Sequence, residues 1–201
     1  MIPMLYEPFQ HWAQGGSVFI LSDLHFDDPF CRKMDAAWPE SDEQVRRINQ
    51  LVGGTDTFVC LGDVGNPAYV KKIHGRRKVL LLGNHDRRAD YKGLFDEIYA
   101  GPLFIAEKIL LSHEPVYGLN WCVNIHGHDH ADSEPYRSSP FHLNLAANVC
   151  GYVPINLGRR IKEGLVADID SIHRVTIDRA IERIDKEKSK RRDEKADDVR
   201  F

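Results

Sequence analysis

Histidine, aspartate and asparagine residues recur directly after short apolar runs of this 201-residue sequence. The clearest case is the run at residues 79–82, which stops at Gly83 and is followed by Asn84, His85 and Asp86. Comparable runs at residues 18–21, 58–61, 109–111 and 123–125 lead to Asp23, His25, Asp63, His113, His126, His128 and His130. Imidazole, carboxylate and amide groups bind metal ions, so the pattern indicates metal-dependent chemistry.

The positions of these residues predict that they meet in one crevice. Short apolar runs bounded by turn residues are typical of buried strands. In open α/β sheets, ligands bind outside the carboxyl ends of the strands. Asp23 and His25 are two residues apart on an extended segment, so their side chains point to the same face. Turn chemistry explains any one of these residues but not all of them together.

The candidate ligands can be divided between two metal ions. The first ion takes Asp23, His25, Asp63 and His130, and the second takes Asp63, Asn84, His113 and His128. Mixed nitrogen and oxygen sites suit manganese, with iron, zinc, nickel or cobalt as alternatives. Two divalent ions about 3.5–4 Å apart hold a phosphoryl group and generate a metal-bound hydroxide nucleophile at neutral pH. The ligand pair in the last cluster is either His126 with His128 or His128 with His130.

The elements that position these residues alternate between strand and helix in the first half of the chain. Strands are predicted at residues 17–21, 57–61 and 79–82. Ser41 is the predicted N-cap of a helix over residues 41–52, and Asn66 with Pro67 begins a helix that ends at Gly75. Alternation of this kind favours a parallel sheet. Residues 1–16 show little periodicity.

The second half of the chain predicts a second sheet after a helix near residues 91–99. Short strands are expected at residues 103–105, 108–112, 122–125, 141–147 and 153–156. The predicted fold class is α/β, with two packed mixed β-sheets flanked by helices in an α/β/β/α sandwich. The loops at residues 26–40 and 131–140 are the expected specificity elements.

The C-terminal region differs from the rest in composition. We expect a single domain over residues 1–175, with residues 176–201 appended as a charged helix or tail. Ile177, Ile181 and Ile184 have the spacing of a helix stripe that docks on the core. The charged remainder indicates a solvated helix end rather than a partner-binding tail.

Composition argues against a membrane partner and does not favour a nucleic-acid partner. The formal net charge of -3 does not indicate a nucleic-acid or membrane surface. No run reaches the roughly 18 apolar residues of a membrane span, and the first residues lack the basic region of a signal peptide. The scattered cysteines, Cys31, Cys60, Cys122 and Cys150, indicate free thiols and a cytoplasmic location. The sequence sets no oligomeric state.

The motifs resemble those of the calcineurin-like metallophosphoesterases. The family pattern is Asp-x-His, Gly-Asp, Gly-Asn-His-Asp or -Glu, a Gly-His-type motif and Gly-His-x-His. Here these stand as Asp23-Leu24-His25, Gly62-Asp63, Gly83-Asn84-His85-Asp86, Ser112-His113 and Gly127-His128-Asp129-His130. The match runs in order over residues 17–130, and residues 144–155 resemble the closing strands of small single-domain bacterial and phage members. Ser112 departs from the glycine of many members, which alters backbone freedom before His113.

The resemblance implies a metallophosphoesterase-like fold and a dinuclear metal-dependent phosphoesterase. It selects His128 and His130 as the ligand pair, because the family has glycine directly before the first ligand. It also implies that His85 faces the substrate and acts in catalysis. A small phosphodiester or nucleotide is the first choice of substrate. The alternatives are a phosphomonoester, a nucleic-acid backbone as in a nuclease, or a non-catalytic scaffold that uses the fold for protein contacts.

Overall fold

The computed structural model describes residues 2–133, 138–170 and 172–197. The chain forms two compact units, Met1–Ile169 and Asp170–Phe201. The boundary therefore lies between residues 169 and 170, whereas the sequence placed it between 175 and 176. Residues 134–137 of the predicted specificity loop and residues 198–201 of the predicted tail lie outside the described residues.

Strands make up two sheets of the first unit. In chain order they are β1 (Val18–Leu21), β2 (Thr57–Cys60), β3 (Arg77–Leu81), β4 (Glu97–Tyr99), β5 (Leu103–Ala106), β6 (Ile109–Leu111), β7 (Val123–His126), β8 (His142–Asn144) and β9 (Ile155–Asn156). The first sheet has the order β4-β3-β2-β1-β9 and the second has the order β5-β6-β7-β8. In the first sheet, β1 to β4 run parallel and β9 pairs antiparallel with β1. In the second sheet, β5 is antiparallel to β6, and β6 to β8 run parallel.

Helices and 3-10 turns connect the strands of the first unit, and one further helix lies in the second unit. The α-helices are α1 (Cys31–Met34), α2 (Ser41–Leu51), α3 (Leu157–Lys162) and α4 (Ile172–Asp197), and the 3-10 helices are Glu7–Ala13, Pro67–Lys72 and Arg88–Tyr91. The side chain of Asn66 accepts a hydrogen bond from the Ala68 amide and caps the second 3-10 helix, which begins at Pro67 as predicted but ends at Lys72, before the predicted end at Gly75. None of the described helices has the length and apolar character needed to cross a membrane.

Alternate residues of the first sheet enter two different hydrophobic cores, as the period of a strand requires. Ile20 and Val59 face one core, which also contains Ile109 and Ile125 of the second sheet. Phe19 and Phe58 face the other core, which contains Ile48 of α2. The fold is therefore α/β, with two mixed sheets that share one core and helices at the flanks. The four cysteines are free thiols, as predicted.

Several sequence predictions about elements are wrong. The helix predicted near residues 91–99 is a 3-10 turn followed by β4, which pairs parallel with β3. The strand predicted at residues 153–156 joins the first sheet as β9 and not the second. Ser41 is not the N-cap of α2; that position is Glu40, with no capping side chain. The hydroxyl of Ser41 instead accepts from the Asp27 amide and donates to the Asp27 carboxylate, so a tertiary contact replaces the local cap.

The N-terminal region and the C-terminal helix also differ from expectation. Phe9 and Trp12 of the first 3-10 helix are buried, although residues 1–16 show little periodicity. A helix was expected from residue 176 onward, and α4 begins at Ile172. Its isoleucines Ile177, Ile181 and Ile184 are 57%, 51% and 49% exposed. The docking of this stripe stays a prediction.

Candidate metal centre

The loops that follow five strands bring the candidate ligands together. Asp23 and His25 follow β1, Asp63 follows β2, Asn84 follows β3, His113 follows β6, and His128 and His130 follow β7. Backbone hydrogen bonds connect neighbouring loops: the Asp23 amide donates to Gly62 and the His25 amide to Asp63, each at 2.9 Å. The Gly127 amide donates to the His113 carbonyl at 2.9 Å. The crevice predicted at the strand ends is therefore present.

The ligands form two groups that could hold metal ions. Asp23, His25 and His130 present donor atoms that all lie within 4.8 Å of one another, and so do Asp63, His113 and His128. Asn84 belongs with the second group, because its Oδ1 atom is 2.8 Å from His113 Nε2 and 3.1 Å from His128 Nδ1. The ligands predicted from the sequence thus lie near one another, and the two groups agree with the predicted partition except that Asp63 is grouped only with the second.

Asp63 stands between the two groups. Its Oδ2 atom lies 3.7 Å from His25 Nε2 and 3.4 Å from His113 Nε2. Donor atoms of one tetrahedral ion with bonds of about 2.0–2.2 Å are separated by about 3.3–3.6 Å. The distance to His113 falls in this range and the distance to His25 lies just above it, so one carboxylate oxygen is close to a histidine of either group.

Hydrogen bonds on the far side of two imidazoles fix which nitrogen faces the centre. His113 Nδ1 lies 3.0 Å from the Leu61 carbonyl, and His130 Nδ1 lies 2.8 Å from Asn148 Oδ1. Because each Nδ1 carries the proton that it donates, each Nε2 keeps a lone pair for a cation. Asn148 also donates to the His130 carbonyl at 2.8 Å. Sequence reasoning missed Asn148, which has no motif or strand end to mark it.

Buried atoms of the first group support the fit to a cation. Asp23 is 0% exposed, and its Oδ1 atom has no hydrogen-bond partner among the described residues. The Nε2 atom of His25 is also buried without such a partner. Unpaired buried polar atoms are costly and require an explanation. A metal ion bound by both atoms would explain why they lack hydrogen-bond partners, so these residues fit a bound cation.

The ligand loops adopt an uncommon backbone conformation. The φ angles are 56° at Asp23, 42° at His25, 52° at Asp63 and 66° at His128. The left-handed region costs free energy for residues other than glycine and is concentrated at functional sites. Two glycines permit close packing of these loops: a Cβ atom at Gly83 would overlap Asp63, and one at Gly127 would overlap Asp23.

Electrostatics of the centre follow from burial and mutual contact. Burial raises the pKa of the Asp63 carboxyl, but the hydrogen bond and charge of His113 outweigh it and hold the pKa below its usual range. Burial lowers the pKa of His113, and the carboxylates of Asp63 and Asp23 overcome this and raise it. For His25, burial dominates and the pKa is lowered despite the nearby carboxylates. A neutral imidazole and an ionised carboxylate are the forms that bind metal.

Asp86 holds the loops after β2 and β3 together. Its carboxylate accepts backbone hydrogen bonds from Asp63 at 2.8 Å, Val64 at 3.0 Å and Gly83 at 2.9 Å. The side chain is therefore directed away from the ligand atoms and into the backbone that carries them. Its function in the structure is to orient Asp63 and Gly83.

His85 and His126 occupy different environments. The His85 side chain is 68% exposed, and its Nε2 atom is 4.0 Å from Asp63 Oδ2, at the open edge of the centre. His126 is buried; its Nδ1 atom is 2.9 Å from the Gly127 carbonyl, and its ring lies 5.4 Å from that of His142. The two candidate ligand groups contain His128 and His130 and not His126.

Comparison with known proteins gives a likeness of fold. No protein-family model matches the chain, and no curated protein matches it. The chain is similar to the crystal structure of the protein of unknown function AQ665 from Aquifex aeolicus, with a TM-score of 0.57 and 23% sequence identity. The similarity covers 73% of this chain and 98% of that chain. The two proteins therefore share an α/β fold, and nothing about activity follows from the likeness.

Proposed function

We propose that this chain is a phosphoesterase that works with two divalent transition-metal ions, as its resemblance to the calcineurin-like metallophosphoesterases implies. The observation that carries the proposal is the position of Asp63 between two groups of histidines. A carboxylate that faces ligands on both sides is suited to bridge two ions. When bound, the ions supply a nucleophile at neutral pH and neutralise phosphoryl charge.

The residues of the chain hold and orient the reactants. Asp23, His25 and His130 would hold the first ion, Asn84, His113 and His128 would hold the second, and Asp63 would contribute to both. His85 lies at the open edge, where it contacts the substrate phosphate and donates a proton to the departing oxygen. Manganese is the proposed metal, because imidazole, amide and carboxylate donors in one site suit it.

The experiment compares wild type with Asp63→Asn after loading with manganese. Wild type should bind two ions per chain and hydrolyse bis(p-nitrophenyl) phosphate. The variant loses a negative charge between two cations, so metal content and turnover should both fall while the fold is retained. Asp90→Asn, at an exposed position that pairs with Arg87, is the matched control and should behave as wild type. Full turnover with two ions in Asp63→Asn would exclude the bridging assignment, and a wild type without bound metal would favour the scaffold alternative.

A further inference from the structure

Two cavities border the candidate metal centre on different sides. One, of about 370 Å³, shares His25 of the first ligand group with the centre. The other, of about 510 Å³, shares Asn84 and His113 of the second group. A phosphate bound at the centre therefore has space for a substituent on either side. A phosphodiester has two such substituents, and a phosphomonoester has one.

The two cavities differ in charge. The smaller one is lined by the carboxylates of Asp27, Asp28 and Glu40 and by a single cation, Arg32. Arg32 pairs with Glu40 at 2.6 Å, which leaves two carboxylates in excess. Further phosphate groups on the substrate would be repelled there. The smaller cavity is therefore suited to a small neutral or cationic group.

The larger cavity is lined mainly by apolar side chains. Its lining includes Leu82, Pro102, Pro115, Val116 and Tyr117. Apart from His113, Glu114 is its one acidic or basic side chain. Tyr117 is 65% exposed, so its ring is accessible at the surface. Apolar and aromatic lining of this size is typical of a site for a small organic group.

Hydrogen bonds preform the segment that lines the larger cavity after β6. The amide of Val116 donates to Asn124 Oδ1 at 2.8 Å, and the hydroxyl of Ser112 donates to the Glu114 carbonyl at 2.7 Å. Asn124 is buried in β7 and donates to the Ser112 hydroxyl at 2.8 Å. A segment that is fixed before binding loses little entropy when a ligand enters.

We infer that the larger cavity binds one aromatic ester group of a phosphodiester whose phosphate lies at the metal centre, with Tyr117 and Val116 as contact residues. This inference rests on the proposed function for the position of the phosphate. It names the substrate as an asymmetric diester, with one aromatic substituent and one small substituent that carries no further phosphate.

The test measures binding by calorimetry to the full-length, manganese-loaded chain. The probes are dimethyl, methyl phenyl and diphenyl phosphate. One phenyl group should tighten binding about 10- to 100-fold, because burying an aromatic group of this size gives a free energy that corresponds to such a gain in affinity. The second phenyl group should add little, because the smaller cavity is polar and charged. Tyr117→Ala should reduce the phenyl preference about 2- to 10-fold, and Val116→Asp should abolish it.

Two control variants keep the result specific. Tyr6→Ala removes another exposed tyrosine, and Glu40→Gln changes the smaller cavity; both should keep the phenyl preference. Equal affinity for the three esters would overturn the inference. A phenyl preference that neither Tyr117→Ala nor Val116→Asp reduces would also overturn it. Hydrolysis of bis(p-nitrophenyl) phosphate is measured alongside. A phenyl preference without hydrolysis would contradict the proposed function and leave the cavity assignment standing.

Discussion

The ring of Trp38 packs against two histidines of the first ligand group. The ring of Trp38 lies 6.0 Å from that of His25 and 5.9 Å from that of His130. Trp38 is itself buried, and the ring of Tyr152 packs against it with the ring centres 5.3 Å apart. An apolar shell excludes water and orients the imidazoles. His128 of the second group is exposed, so the two groups present different environments to their ions.

The first prediction distinguishes His130 from His126. Replacing His130 with alanine removes a donor of the first group, so metal content should fall from two ions to one per chain. His126→Ala should keep both ions and cost at most roughly 10- to 100-fold in activity, as outer contacts of metal ligands do. Metal analysis and kcat/KM for a chromogenic diester are the measurements.

Thermal unfolding controls for the burial of His126, since an alanine there leaves a cavity. The assignment of His128 and His130 as the ligand pair is wrong if His126→Ala loses metal although its melting temperature shows that it is folded, while His130→Ala retains both ions.

The second prediction concerns proton donation by His85. A protonated imidazole can act as a general acid and protonate a poor leaving group. His85→Ala should therefore slow alkyl esters about 10²- to 10⁴-fold and nitrophenyl esters much less, because nitrophenolate leaves without a proton. Values of kcat/KM for both classes are compared, with metal content measured in parallel. An equal loss on both esters would reduce His85 to binding phosphate, and a loss of metal would make it a ligand.

At the scale of elements, the sequence predicted the parts whose local signals and tertiary contacts agree. The strands that precede the ligands are short apolar runs with a glycine or polar residue at the end, and each lies at its predicted place. The helix expected near residues 91–99 shows where such signals fail. Tyr91, Leu94, Phe95 and Ile98 have helical spacing, and all contact the second core. The backbone turns at Gly93, where φ is 79°. It then continues as β4, the edge strand of the first sheet.

The hydrogen bonds that fix Ser41 and His130 could not be predicted, because both join residues that are far apart in the sequence. Ser41 bonds with Asp27, and His130 bonds with Asn148. Each pair is separated by many residues, so no local periodicity or capping pattern records it. The positions of the metal ligands could be predicted because each is marked by a strand end; their supporting partners carry no such mark.

The third prediction concerns Glu97, which connects β4 with the N-terminal 3-10 helix. Its carboxylate accepts hydrogen bonds from His11 at 2.8 Å, Trp12 at 3.2 Å and Arg77 at 2.9 Å. Burial raises the pKa of Glu97, but the hydrogen bonds from His11, Tyr99 and Trp12 outweigh it and lower the pKa below its usual value. The stabilisation is thus present above the unfolded pKa of about 4.3 and is lost as pH falls.

Glu97→Gln should lower the free energy of unfolding by about 1.5–3 kcal/mol at pH 7, since hydrogen bonds to a charged group are lost. The difference from wild type should shrink below about pH 4. Urea unfolding across this pH range is the measurement, with Glu7→Gln as the exposed control on the same 3-10 helix. A difference that stays constant with pH would show that the carboxylate charge contributes nothing.

At the scale of the whole molecule, the described cores and ligands belong to the first unit. Both hydrophobic clusters draw their members from residues up to 169. Ile169 is buried, and Leu165 and Val166 pack against the core that the two sheets share. Residues 170–201 form the second unit, where the described side chains of α4 are exposed. The first unit therefore contains both described cores and the candidate metal centre.

The last prediction compares two truncations of the chain. Ending the chain after Ile169 removes the second unit and no core residue, so metal content and turnover should equal those of the full chain. Ending it after Gly164 also removes Leu165, Val166 and Ile169, which pack in the shared core; the burial of Ile169 alone contributes about 1.5–3 kcal/mol. The melting temperature should then fall by about 3–12 °C, at 2–4 °C per kcal/mol for a chain of this size. Calorimetry, metal analysis and diester hydrolysis are measured on both. A folded chain ending at Ile169 that lacks turnover would show that residues 170–201 reach the metal centre. Equal melting temperatures for the two truncations would show that residues 165–169 contribute nothing to stability.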